Sequence, residues 1–412
     1  VSGAAGHDAD AEARLRALIG PWPDGSAAIR ETEERFQVAT YRKLPLAAVR
    51  GHGCYVYDAE GVQYLDLYGG HAVALAGHCH PRVVAAIQTQ AERLLFYSNL
   101  VYSDVRARAV ELLAGLAPEG LRKVFLCGSG AEANETALKI ARKHTGRRVV
   151  VSMTGGFHGR TLGALGATGI ESYRDAAYPI PTEHRFVPYG DMAALDDAIR
   201  DDTAAVILEP IPSMGGIQVA DDAYFTALRE RCSANDAFLI FDEVQTGFGR
   251  TGRAFYGEHV GVVPDLITGA KGVASGFPAG VVYVREDVAA NMAYGEQGTT
   301  FGGGPLASAA IAANLCVLRD EDLMANAAAR EADVRRLVGN VPGVLEVVGR
   351  GLLLGLNLDR PAKPIVSRLI TDVRIICGTA GGNANQIRLL APLVLEAGHV
   401  ESFAKALAGI LQ

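Results

Sequence analysis

The chain contains no Cys-x-x-Cys pair. Its six cysteines (Cys54, Cys79, Cys127, Cys232, Cys316 and Cys377) are scattered singly, which argues for reduced, mostly packed thiols rather than a disulfide framework. There is no basic excess either. The net charge is −7, so the charge balance points to neither nucleic acid nor an anionic membrane surface. No apolar run reaches the length of a membrane span. Internal repeats and low-complexity segments are lacking as well. The stretch from Val1 to Gly20 is alanine-rich and acidic, without the basic-then-apolar order of a signal peptide, and a cytoplasmic location is expected. His78-Cys79-His80, with His71 upstream, is the one cluster that invites a metal. Adjacent residues on an extended segment point to opposite sides, and no second ligand group is spaced to complete a tetrahedron, so no metal site is expected. His80-Pro81 reads instead as a helix start, with proline in the first turn.

What is present describes an ordinary globular protein: 412 residues, 49% hydrophobic and 21% charged, long enough for two or three domains. Residues 1–30 read as a leader, with one short helix from Asp10 to Ile19 stopped by Gly20-Pro21-Trp22-Pro23. A hairpin is expected over Gly53 to Gly61, turning at Asp58 to Gly61. Helical periodicity runs from Pro81 to Phe96 and from Asp104 to Leu116. From there to about residue 285, helical stretches alternate with short apolar runs: Lys123–Leu126, Val149–Val151, Ala205–Leu208, Phe238–Phe241, Leu266-Ile267 and Gly280–Val284. That alternation predicts an α/β fold with a largely parallel sheet covered on both faces, and a ligand site at the strand ends. The last hundred residues read as a smaller α+β unit: a long helix from Ala307 to Val338 broken near Asp320, short strands, and a closing helix from Val400.

Polar residues cluster where those runs end. Lys271 lies in Gly269-Ala270-Lys271-Gly272-Val273-Ala274-Ser275-Gly276, among slim neighbours, as an amine must if it is to form a Schiff base with a carbonyl. Gly128-Ser129-Gly130-Ala131-Glu132-Ala133-Asn134 follows a run and opens a helix, where backbone N–H groups can meet a phosphate. The same glycines match a dinucleotide fingerprint, yet Val149-Val-Val-Ser152-Met153 ends without the acidic residue such a site needs. Phe157, in Gly155-Gly156-Phe157-His158-Gly159-Arg160-Thr161, could stack on a planar ring, and Arg160 could clamp a carboxylate. Asp242 ends a buried run and needs a partner that justifies its desolvation, such as a protonated pyridine nitrogen. Thr299-Thr300-Phe301-Gly302-Gly303 offers hydroxyls and open backbone, and Arg388, inside an apolar segment, requires an anion.

In this ordered set of motifs the sequence resembles the class III aminotransferases, pyridoxal-phosphate enzymes of fold type I, from about Tyr41 to the C-terminus. The set comprises Gly-Ser-Gly-Ala-Glu-Ala-Asn, Phe-His-Gly-Arg-Thr, Asp242-Glu-Val-Gln-Thr-Gly-Phe-Gly-Arg-Thr-Gly, Ala-Lys271-Gly and Thr-Phe-Gly-Gly. Within the class it is most similar to acetylornithine aminotransferases, through Phe157 to Thr161, Gly378-Thr379-Ala380-Gly381 and Ile387-Arg388-Leu389-Leu390. Beyond the leader (1–30), the expected division is an N-terminal segment of a small domain (31–75), a large cofactor-binding domain (76–312) and a C-terminal small domain (313–412). The resemblance implies that Lys271 carries pyridoxal 5′-phosphate as a Schiff base. Ser129, Gly130 and Ala131 would hold the phosphate, with Thr300 reaching it from the other subunit of a homodimer. Phe157 and Val244 would cover the two ring faces, Asp242 would pair with the ring nitrogen, and Gln245 would lie near the ring hydroxyl. Arg160, Thr299 and Arg388 would contact substrate.

The activity implied is a ping-pong transfer of an amino group from an ω-amine such as N-acetylornithine to 2-oxoglutarate, in arginine biosynthesis. One departure bears on the donor. Where the acetylornithine and ornithine enzymes usually read Glu-Pro-Ile-Gln-Gly-Glu-Gly-Gly, this chain reads Glu209-Pro210-Ile211-Pro212-Ser213-Met214-Gly215-Gly216. Two readings stay open: Arg388 is permanently free for a carboxylate, or the pocket takes a more apolar substrate. Other donors in view are 4-aminobutyrate, ornithine, lysine derivatives and biosynthetic amines. From other classes, a nucleotide-binding oxidoreductase would need the missing acidic residue, and a non-catalytic relative would not need Lys271, Asp242 and Phe157 together.

Overall fold

A computed structural model describes residues 4–174, 180 and 183–412, and the chain separates into two compact units. The first comprises residues 1–51 and 55–64. Its helices are α1 (Ala4–Ile19), which starts earlier than the periodicity predicts, and α2 (Gly25–Phe36). Gly20 ends α1 at φ +83, a left-handed conformation that glycine adopts without steric cost. The expected hairpin forms with a strand at Tyr55–Asp58. Buried Asp58 fixes the turn by accepting from the backbone N–H of Val62 at 2.8 Å and of Glu60 at 3.1 Å, and from the Tyr64 hydroxyl at 3.0 Å. Glu60 in turn accepts from Ser26 N at 2.8 Å, tying α2 to the hairpin.

The second unit comprises residues 52–54 and 65–412. Its helices include α3 (Pro81–Arg93), α4 (Asp104–Leu116), α5 (Gly130–Thr145), α6 (Asp222–Ala234), α7 (Pro305–Asp320), α8 (Leu323–Leu337), α9 (Ala362–Val373) and α10 (Ala397–Leu411). Its centre is a seven-stranded sheet of β1 (Lys123–Cys127), β2 (Val149–Met153), β3 (His184–Val187), β4 (Thr203–Leu208), β5 (Phe238–Asp242), β6 (Leu266–Gly269) and β7 (Gly280–Val284). The spatial order is β1-β7-β6-β5-β4-β2-β3. All neighbours are parallel except β7, which is antiparallel to both β1 and β6. A short connection from β6 lets the chain return beside its own strand, whereas the parallel neighbours need longer crossovers. Strand β3 is missing from the sequence reading. It is a four-residue edge strand, mostly half-buried, and its His184 and Arg185 hide the apolar signal.

The near-continuous apolar runs follow from burial on both faces. Val206, Leu208, Leu239 and Phe241 pack on Tyr224, Phe225 and Leu228 of α6. Their alternating neighbours Ala205, Ile207, Phe238 and Ile240 pack on Ala133, Ala137, Leu138 and Ala141 of α5. The C-terminal part carries an antiparallel sheet of β8 (Val344–Arg350), β9 (Leu353–Leu358), β10 (Gly378–Thr379) and β11 (Gln386–Leu389), in the order β8-β9-β11-β10. The break in the long helix falls where expected, with Asp322 at φ +50 between α7 and α8.

The histidines of the His-Cys-His cluster have protein partners. His78 Nε2 lies 2.7 Å from the buried Asp66 carboxylate. His80 Nδ1 caps α3 by accepting from Arg82 N, and its Nε2 lies 3.0 Å from Glu321. All six cysteines are free thiols; Cys54, Cys127, Cys232 and Cys377 are buried, Cys79 is exposed and Cys316 is half-buried. Burial pushes the first three of these thiols up to about 12. Phe225, fully buried, meets Tyr224 and Phe241 edge-on with ring centroids 5.5 and 6.0 Å apart. We expect Phe225→Ala to destabilise the protein by about 3–5 kcal/mol, read as an earlier transition in urea.

Candidate active site

The site is assembled where the parallel strands end. Strand β5 finishes with Asp242, which is only 2% exposed. Its Oδ2 accepts from Asn134 Nδ2 at 2.8 Å and lies 2.7 Å from His158 Nδ1; its Oδ1 accepts from the backbone N–H of Val244 at 3.1 Å. Asn134 is itself pinned: its Nδ2 also reaches His158 O at 2.7 Å, and its Oδ1 accepts from Thr268 Oγ1 at 2.6 Å. The carboxylate is thus held rigid at the sheet end, and Oδ1 carries one weak internal bond, leaving it acceptor capacity. His158 Nε2 and Gln245 Oε1 are buried without partners among the described residues, so polar capacity remains on the histidine that holds Asp242 and on the glutamine three positions after it.

Lys271 follows β6, adjacent to β5, in a short 3₁₀ turn at Lys271–Ala274. Its φ of +43 is a strained conformation for a residue with a Cβ. The surroundings enforce it. Asn314 donates to Gly272 O and Val273 O, both at 2.9 Å, and Ser275 Oγ accepts from Ala76 N at 3.0 Å. Burial pulls the Lys271 ammonium down to about 8, against the opposing pull of the Glu209 and Asp242 carboxylates. An amine so placed is deprotonated far more readily than a surface lysine. Glu209, after β4, is pushed up to about 7 by burial and by the charge of Asp242. It accepts from Phe157 N at 2.8 Å and from Ser213 N at 3.4 Å.

Gly130 opens α5, where by position the first N–H groups, including that of Ala131, have no intrahelical acceptor. Ser129 is the N-cap and accepts from Glu132 N at 3.2 Å. A Cβ at Gly130 would come within 3.0 Å of Val244 and 3.4 Å of Ala270, so glycine brings the α5 end against the Asp242 and Lys271 segments. Phe157 is half-buried, its ring 5.6 Å from that of Tyr173, and the exposed Arg160 lies over the same tyrosine at 4.6 Å. Thr299 and the exposed Thr300 line, with Gly128 and Ser129, a cavity of about 1310 Å³.

Arg388, on β11, is 2% exposed and makes no ion pair among the described residues. Its Nη1 donates to Ser213 Oγ and Met214 Sδ, both at 3.1 Å, and its Nη2 to the Tyr68 hydroxyl at 2.7 Å. The sequence reading missed Tyr68, His71, Asn134 and His158 as parts of the site. Asn134 and His158 stand inside motifs singled out for other residues, but their shared partner Asp242 is about a hundred positions away, and no spacing announces that bond. His71 is held neutral: burial and the charges of Lys271 and Arg388 pull it down to about 3.

The class III aminotransferase sequence model matches residues 36–411. The chain is 42% identical over 386 residues to the acetylornithine aminotransferase of Methanopyrus kandleri, an alignment covering 93% of this chain and 98% of that one. It is 41% identical over 380 residues to that of Mycolicibacterium smegmatis, covering 92% and 96%. Among solved structures, the ornithine aminotransferase of Toxoplasma gondii, with partial occupancy of pyridoxal phosphate at its active site, superposes with a TM-score of 0.88 at 31% identity, covering 97% of this chain and 96% of that one. The acetylornithine aminotransferase of Elizabethkingia anophelis superposes at 0.80 with 27% identity, covering 94% and 98%. The fold and site therefore define a transaminase of fold type I. The chain belongs to the class III aminotransferases, which are pyridoxal-phosphate enzymes.

The residues present fit that cofactor: an amine with a lowered pKa, a fixed buried carboxylate with spare acceptor capacity, and a glycine-opened helix end drawn against both. The lowered Lys271 has a consequence for the cofactor-free protein. Between about pH 8 and the ordinary lysine range the unfolded chain binds the proton that the folded state has lost, so Lys271 makes stability rise with pH across that window. We expect Lys271→Met to flatten that rise, measured by urea unfolding of the cofactor-free protein at a series of pH values.

Proposed function

We propose that this aminotransferase takes the ω-amino group of N-acetylornithine or a near relative and delivers it to 2-oxoglutarate in a ping-pong cycle. The observation that carries the chemistry is Lys271, its ammonium brought down to about 8 by burial in a strained turn beside a carboxylate that Asn134 and His158 fix in place. Relatives named acetylornithine aminotransferases, at about two-fifths identity along nearly the whole chain, support the choice of donor.

In this reading Ser129, Gly130 and Ala131 bind the cofactor phosphate at the positive end of α5, and Thr300 of the partner subunit in a homodimer completes that contact. Phe157 and Val244 enclose the ring, and Gln245 offers its unpartnered amide oxygen toward the ring hydroxyl. Bound pyridoxal phosphate supplies the carbonyl that takes the amine and a ring that withdraws electrons from the adjacent carbon. Asp242 would accept a hydrogen bond from the protonated ring nitrogen and favour that protonated form, because Asn134 and His158 prevent the carboxylate from turning away. Lys271 Nζ serves as the base that removes the proton from the substrate carbon bearing the amine and returns it on the other side of the exchange. Arg160, Thr299 and Arg388 orient substrate carboxylates. A cytoplasmic homodimer serving arginine biosynthesis, divided into a leader (1–30), a small-domain segment (31–75), a large domain (76–312) and a C-terminal domain (313–412), completes the proposal.

A second reading, another ω-amine as donor, is favoured by one observation: Met214 places a thioether rather than a carboxylate against Arg388. Half-reactions separate the two. The holoenzyme is mixed with acetylornithine, succinylornithine, ornithine, 4-aminobutyrate or glutamate, and loss of the visible band of bound pyridoxal phosphate is followed. Fast loss with acetylornithine and glutamate is expected; loss with glutamate but none of the ornithines would discard the donor and keep the reaction. Lys271→Ala is expected to bind pyridoxal phosphate without a covalent link, and a borohydride-fixed adduct in that variant would sink the assignment.

A further inference from the structure

We propose that Tyr68 and His71 form a positioning relay that fixes Arg388 for a dicarboxylic keto acid, so that a neutral pair rather than a protein carboxylate sets the anion affinity of this site. The inference rests on the reading of Arg388 as a substrate anchor and adds the residues that tune it.

Arg388 is buried, and its charge is not neutralised within the described residues: its partners are a serine hydroxyl, a thioether and a tyrosine hydroxyl, and its Nε is buried without a partner. Thioether sulfur is a weak acceptor. These contacts orient the guanidinium but leave it in need of an anion. The shortest of them, at 2.7 Å, is to Tyr68, whose hydroxyl lies 2.6 Å from His71 Nδ1 on its other side. Arginine can only donate, so the hydroxyl accepts from Arg388, and its single O–H is free to donate to Nδ1 of a neutral imidazole that carries its hydrogen on Nε2. In that tautomer the chain of donation runs from Arg388 to Tyr68 to His71.

The backbone holds this pair at some cost. Gly69, Gly70, His71 and Ala72 have φ of 56, 56, 70 and 62, a left-handed run in which His71 and Ala72 each carry a Cβ. Asp66 stabilises it by accepting from Tyr68 N at 2.8 Å, Gly69 N at 2.9 Å and Gly70 N at 3.2 Å, with His78 against the same carboxylate. The run turns the chain so that Tyr68 and His71, three positions apart, meet with ring centroids 5.1 Å apart. Gly378, paired with Arg388 across the β10–β11 ladder, makes room for the tyrosine: a Cβ there would stand 2.3 Å from its ring. Strain, anchor and vacated space all serve one contact, the tyrosine hydroxyl on the guanidinium.

The test compares Tyr68→Phe, His71→Phe, His71→Asn and Arg388→Leu as holoenzymes. The readouts are calorimetric binding of glutarate, an unreactive dicarboxylate, and KM and kcat for 2-oxoglutarate. Tyr68→Phe, which removes one hydrogen bond to a charged group, should weaken glutarate by about tenfold, and His71→Phe, which removes the acceptor behind that hydroxyl, should weaken it in the same direction, with KM for 2-oxoglutarate moving far more than kcat. His71→Asn, whose side-chain oxygen can still accept from Tyr68, should recover most of the loss. If Arg388→Leu abolishes glutarate binding while Tyr68→Phe and His71→Phe leave it unchanged, the relay is wrong and Arg388 remains the anchor. If Arg388→Leu itself has no effect, the underlying reading of Arg388 falls, and the relay with it.

Discussion

The bond network around the Asp242 carboxylate is the constraint on which the rest of the site depends. A carboxylate at the end of a buried strand loses the hydration that would stabilise its charge, at a cost of several kcal/mol unless partners replace the water. Asn134 from α5, His158 from the loop after β2 and the backbone of Val244 are those partners. Each reaches Asp242 from a different segment, so the network joins the helix that opens at Gly130, the loop that carries Phe157 and the strand pair that leads to Lys271. Thr268 extends it into β6 through Asn134. Moving any one segment would leave a buried polar group unsatisfied, and this couples the placement of the phosphate-facing backbone to that of the lysine.

Two buried charges in the site are handled in opposite ways. Asp242 is held by three fixed partners and keeps acceptor capacity on Oδ1, which suits a group that must stay still while chemistry occurs beside it. Arg388 is held by neutral acceptors with its charge uncompensated, which suits a group whose counter-ion arrives with the substrate. Lys271 lies between them: the carboxylates favour its ammonium, whereas burial and Arg388 favour the free amine, and burial is the larger effect. The balance brings the ammonium down to about 8.

Much of this was legible in the sequence because strand ends, glycines and isolated charges in apolar runs are local signals. The runs ending at Leu126, Leu208, Phe241 and Ile267 announced the sheet, and Lys271, Asp242 and Arg388 stood out as charges where apolar residues belong. Strand β3 was not legible, since a short, mostly half-buried edge strand carries no run. His158 and Asn134 could not be assigned because their role is a bond to a residue far along the chain. Tyr68 and His71 escaped for a related reason: the left-handed run that brings them together is made by Gly69 and Gly70, which read equally well as a plain turn, and its anchor, Asp66, reads as a strand-end residue. The Met214 departure was visible, but the Ser213 and Tyr68 hydroxyls on Arg388 were not, because both lie far from it along the chain.

The distribution of thiols has a consequence for handling and labelling this protein. Thiolates, not thiols, react with electrophiles and oxidants, and burial keeps Cys54, Cys127, Cys232 and Cys377 protonated across the usable pH range. Cys79, exposed beside the first turn of α3, is left as the principal reactive position, with Cys316 a slower second. The folded chain therefore carries a near-unique chemical handle just before α3, and the appearance of further alkylated cysteines marks loss of the native core.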